Sequence, residues 1–227
     1  MVSETLIPIR IKFQKTGALM YISHLDLART MQRIFVRSGI DIKYSEGFNP
    51  QPKMVFTMPL PIGTQSLCEF VDIKINSPMS VDEIKTRLAE NVPEELKIIS
   101  VYTPERKLSE ITYIDYSIEL LSPKINADTA AKIKELFSAD CIVIKSSPKG
   151  DKEVNVTPYI KLLEVVSEDG KAEINTVLCA DSEKYLNPEL FVLAIREKLG
   201  IIALGTTEEF YSITRKEALD SDMKIFA

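Results

Sequence analysis

The sequence predicts an α+β chain of two tandem ferredoxin-like sandwiches, the βαββαβ order repeated and the second copy carrying an extra strand. Three observations predict it. Residues 1–104 punctuate as strand, helix, strand, strand, helix, strand, and a similar order recurs after residue 110. At 227 residues the chain is also near the length at which one core tends to split into two. The charged, weakly patterned segment PERKLSE, from Pro104 to Glu110, marks the boundary, so domains are expected over 1–104 and 110–227.

Each element has a local reason. Ile7, Ile9, Ile11 and Phe13 alternate with Arg10 and Lys12, as in a strand buried on one face. KTGAL turns the chain. Ser23 with Asp26 three residues on forms a capping-box pattern at the start of a helix whose stripe is Leu27, Ala28, Met31, Ile34 and Phe35, and Gly39 is suited to its end. MVFTMPL reads as a strand limited by Pro59 and Pro61, which have no backbone donor; TQS then turns into the alternating LCEFVDIKI. Ser80 and Glu83 cap a second helix lined by Val81, Ile84 and Leu88, and LKIISVY follows as a strand.

In the second half, ITYIDYSIELL is a strand, Asn126 caps a helix running to Phe137, and CIVIK is a strand. Lys149–Lys152 turns into VNVTPYIKLLEVV, bent at Pro158, and SEDGK makes a hairpin to AEINTVLCA. Asn187–Pro188 opens the last helix, Gly200 closes it, and EEFYSITR returns as a strand.

Composition narrows the function classes. No apolar run approaches the ~18 residues of a membrane span, and MVSETLIPIR lacks the layout of a signal peptide, so a cytoplasmic protein with no membrane partner is expected. Cys68, Cys141 and Cys179 lie far apart without a CxxC pair, and the chain has one histidine, so buried reduced thiols are expected and no metal site. GxxxxGK[ST], GxGxxG, HExxH and CxxxCxxC are all absent, and no cofactor is expected.

Net charge is −5, yet residues 1–60 carry eight Lys/Arg against four Asp/Glu. That local surplus concentrates in one region. Arg29, Arg33 and Arg37 recur every four residues and form a ridge opposite the apolar stripe, where guanidinium forks suit phosphate oxygens. Lys43 and Lys53 flank the loop YSEGFNPQPK, in which two prolines limit loop entropy and Tyr44 and Phe48 bring aromatic rings beside cations; Asn49 adds a polar group. Cations with aromatics are what a single-stranded nucleic acid requires, phosphates on the first and bases on the second. The candidate RNA- or anion-binding residues are therefore Arg29, Arg33, Arg37, Lys43, Tyr44, Phe48, Asn49 and Lys53. A solvated helix face and a loop whose aromatics tuck into the core explain the same residues without function. His24 is a weak catalytic candidate, since imidazole titrates near neutral pH, but no partner base or nucleophile is identifiable by spacing.

YISHLDLAR, the arginine-bearing helix, SEGFNPQPK and MPLPIG, in that order, resemble the N-terminal signature of the radical-SAM-linked proteins, a bacterial family encoded beside, or fused to, a radical SAM protein. The motif match covers residues ~9–76 and is looser beyond. That family has histidine where this chain has Gln51, so no histidine chemistry is implied at that position. The resemblance implies a bacterial partner of a radical SAM enzyme with an RNA- or ribosome-related substrate. The leading expectation is a non-catalytic accessory protein that binds RNA and presents it for modification. The alternatives are a metal-independent ribonuclease using His24, and a protein–protein adaptor without RNA binding.

Overall fold

The structure is a computed structural model describing residues 6–148, 150–181, 183–203 and 205–227. It is a mixed α and β chain with four α-helices among the described residues, in two compact units that divide after Leu108.

In the first unit, β1 (Ile7–Lys15), β2 (Val55–Phe56), β3 (Thr64–Ile75) and β4 (Ile98–Tyr102) lie in the order β4-β1-β3-β2 with every pairing antiparallel. Helices α1 (His24–Arg37) and α2 (Val81–Ala89) supply the second layer. The core between them joins Leu27, Met31, Ile34 and Phe35 of α1 and Ile84 and Leu88 of α2 to Ile9, Ile11 and Phe13 of β1 and Val71, Ile73 and Ile75 of β3. These are the residues that the 3.6- and 2-residue periods place inward; of the expected α1 stripe only Ala28 stays half-buried.

Two departures in this unit have physical causes. Arg10, expected on an outward face of β1, is 1% exposed. Its guanidinium donates through Nε and Nη2 to the two carboxylate oxygens of Asp72, its cross-strand partner, at 2.7 and 2.8 Å, and Nη2 also donates to the Arg106 carbonyl at 2.8 Å. MVFTMPL contributes only the two residues of β2, and TQS lies inside β3 rather than in a turn; Pro59 and Pro61 offer no ladder donor, so the segment between them and β3 turns instead of pairing.

The second unit contains β5 (Tyr113–Leu121), α3 (Thr129–Leu136), β6 (Ile142–Lys145), β7 (Lys152–Asn155), β8 (Ile160–Glu168), β9 (Lys171–Cys179), α4 (Pro188–Leu199) and β10 (Phe210–Leu219). Its main sheet runs β10-β5-β9-β8, all antiparallel. The extra strand does not join that sheet. A 3-10 turn at Thr157–Tyr159, with Pro158 in it, cuts VNVTPYIKLLEVV into β7 and β8, and β7 pairs only with β6 in a separate two-stranded ladder. Lys149 of the expected turn between them lies outside the described residues. α3 begins later than expected: Asn126 accepts from the Asp128 amide in a turn before the helix, which starts at Thr129. Asn187 caps α4 through the Glu189 amide, and Gly200 ends it at φ 69°. Phe137 stacks on Phe191 at 4.4 Å and ties α3 to α4.

Candidate nucleic-acid interface

α1 carries the ridge on the side away from the core. Its N-terminus is fixed by Ser23, whose hydroxyl accepts from the Asp26 amide at 3.2 Å and donates to the Asp26 carboxylate at 2.7 Å. The expected cap is present, and the Asp26 carboxylate accepts from the Ser23 hydroxyl as well as from its backbone amide. The hydroxyl donation, followed by the Arg29 guanidinium at 3.2 Å, holds the Asp26 carboxyl below the usual carboxylate range. A depressed folded-state value stabilises the fold above the unfolded carboxyl pKa, about 3.9, and the contribution is lost as pH falls through the lower folded value. Carbon-13 titration of the Asp26 carboxyl is expected to give a midpoint below that of an unfolded peptide, with Ser23→Ala moving it upward; an unmoved midpoint would refute the assignment to the hydroxyl.

Arg29, Arg33 and Arg37 are all exposed and, with Gln32 and Val36, line a shallow surface depression. They are not equivalent. Arg29 is paired with Asp26, Arg37 donates to the Asn91 carbonyl at 2.8 Å, and Arg33 has no partner among the described residues. The same helix face exposes Leu25 and Val36 at 66% each. Sequence reasoning passed over these two, although at ~100° per residue both fall beside Arg29 and away from the buried stripe.

Phe48 is fully exposed, at 112% of its reference area, so it does not tuck into the core. Tyr44 does: it is half-buried and packs against the unit's apolar cluster, so it anchors the loop instead of presenting a ring to solvent. Ile42 bridges to Ile75 and the Lys43 amide donates to the Lys74 carbonyl, while Val55 and Phe56 pair with Asp72 and Val71. One edge of β3 is thus bordered by two short stretches, and the 44–52 loop is the excursion between them. Its neck is closed by the Tyr44–Pro52 bridge, by the Lys53 amide on the Lys43 carbonyl at 2.9 Å, and by the Ser45 amide on the Gln51 carbonyl at 2.8 Å. Asn49 accepts from the Gln51 side-chain amide at 3.2 Å, an internal bond that shapes the tip.

The half-buried His24 ring stands edge-to-face on Phe56 with centroids 5.2 Å apart, a packing contact between the start of α1 and β2. Among the described residues no group of three or more His, Cys, Asp or Glu is placed to hold a metal ion, and no helix is long and apolar enough to cross a membrane. Cys68, Cys141 and Cys179 are free and buried, and burial raises the pKa of the thiols of Cys141 and Cys179.

A family model described as "Uncharacterized protein conserved in bacteria (DUF2344)" matches residues 8–188. No curated protein matches the sequence. A crystal structure of an unknown protein from Galdieria sulphuraria is similar at 6% identity, covering 92% of this chain and 98% of that one, with a TM-score of 0.28.

Proposed function

We propose that this chain, which belongs to a family of uncharacterised proteins conserved in bacteria (DUF2344), is a non-catalytic accessory protein that binds RNA and presents it to a radical SAM enzyme in the cytoplasm. The observation that carries the RNA part is the exposed ridge of Arg29, Arg33 and Arg37 on a chain that is acidic overall, with Asp26 the sole acid along it. Arginine forks on one helix face are spaced about 6 Å apart along the axis and suit consecutive phosphate oxygens better than a diffuse lysine surface would. The radical SAM partner rests on the motif resemblance of the 21–63 stretch. Read at the level of folds, the β4-β1-β3-β2 and β10-β5-β9-β8 orders support two ferredoxin-like sandwiches, the second with a hairpin inserted after its first helix.

Binding of RNA by the full chain is expected to weaken linearly with log salt concentration, and Arg29→Glu with Arg33→Glu to reduce affinity at least about tenfold. Unchanged affinity in that double variant removes the ridge from the reading.

One observation favours a second reading, a protein–protein adaptor. Leu25 and Val36, each 66% exposed, lie on one face of α1, and paired exposed apolar side chains on a helix face suit a protein partner. Co-purification with a partner that survives RNase and fails on Leu25→Asp would favour it. His24 is read as structural, its ring being used in packing; RNA cleavage by wild type that is lost in His24→Ala would reverse that.

A further inference from the structure

We propose that the 43–53 loop is a clamp for one unpaired nucleotide, with the base stacked on Phe48 and its phosphate held between Lys43 and Lys53. The proposal rests on the RNA reading and specifies the form of RNA: single-stranded.

The argument starts from register. Tyr44 forms an isolated antiparallel bridge with Pro52 and Ser45 binds Gln51, so Lys43 and Lys53 are the next residues across the same neck, joined by the Lys53 amide on the Lys43 carbonyl at 2.9 Å. Opposed residues project to one side of a ladder, and neighbours along it project to the other. Tyr44 faces the apolar core, so the two ammonium groups share the outward side. Neither side chain has a partner among the described residues. Two cations that flank one neck are a pair of donors for an anion, and a phosphate seated between them lowers their mutual repulsion.

The tip supplies the second half. Phe48 touches nothing that would bury it, yet the loop that carries it is closed at the neck and held by the Gln51 to Asn49 bond, and Gly47 takes φ 119°, a conformation side-chain-bearing residues rarely adopt. A ring presented on a restrained loop is a stacking platform, and a base can lie on it only when it is unpaired. A duplex keeps its bases stacked on one another and offers none.

The test titrates the full chain, by fluorescence anisotropy at several salt concentrations, with an end-labelled oligoadenylate alone and annealed to its complement. The single strand is expected to bind at least about tenfold more tightly than the duplex. Phe48→Ala, at a fully exposed position that leaves the fold intact, is expected to lose about tenfold in single-strand affinity, with Phe48→Tyr retaining it. Lys43→Ala with Lys53→Ala is expected to lower the salt slope by about 0.7, the share of one single-strand phosphate. Equal binding of both forms, or unchanged binding by Phe48→Ala, overturns the clamp; the ridge reading survives if Arg29→Glu with Arg33→Glu still weakens binding. No binding of either form overturns both.

Discussion

Phe35→Ala is expected to destabilise the first unit by about 3–5 kcal/mol, the cost of removing a buried aromatic ring from a packed core that only partly relaxes. Phe35 is fully buried in the cluster where α1 and α2 meet the strand layer. Against a typical total of about 5–15 kcal/mol, a loss of this size removes a large share of the unit's margin. Amide exchange of the full chain should therefore lose protection in α1, β1 and β3. The control lies in the same window of sequence: Phe48→Ala removes an equal ring from a position that contacts no core and should stay within about 0.5 kcal/mol of wild type. If both variants cost the same, the assignment of one ring to the core and the other to the surface is wrong.

How far the site could be read from the sequence follows from the range of the interactions that form it. α1 was legible because its register is local: Ser23 and Asp26 cap it, a 3.6-residue period selects Leu27, Met31, Ile34 and Phe35, and whatever remains, including Arg29, Arg33 and Arg37, must face outward. The loop was legible only as composition. Whether Phe48 or Tyr44 turns inward depends on the neck bonds between Ser45 and Gln51 and between Lys43 and Lys53, which join residues on opposite sides of a turn whose length no local pattern fixes. Lys43 and Lys53 could be named as flanking the loop, but not as facing each other. β7 was misjoined to β8 because alternation continues across Pro158, and only the missing donor and the turn around it separate them. Arg10 was placed outward because alternation knows nothing of what covers the second face of a strand. Here the boundary segment does so, through the carbonyl of Arg106.

That buried guanidinium gives the other large expected effect. Asp72→Ala should cost the first unit about 3 kcal/mol, because it leaves Arg10, 1% exposed, as a charge whose bidentate partner is gone. Asp72 itself is 27% exposed, so water reaches one side of the pair and keeps the loss toward the lower end of what fully buried pairs show. Most of this is the penalty of stranding a charge rather than the net worth of the bond, and the distinction is measurable. Replacing both partners, Arg10→Met with Asp72→Leu, removes the charge together with its counter-ion, and such paired replacements are often close to neutral. The double variant should therefore unfold at higher urea than Asp72→Ala alone, with a coupling of about 1 kcal/mol or more between the two sites. The Arg10 bond to the Arg106 carbonyl sharpens the expectation further: when Arg10 is changed, amides of the segment just before the division at Leu108 should exchange faster, whereas Asp72→Ala leaves that bond in place. Equal destabilisation by the single and double variants would show that shape, not charge, decides this position.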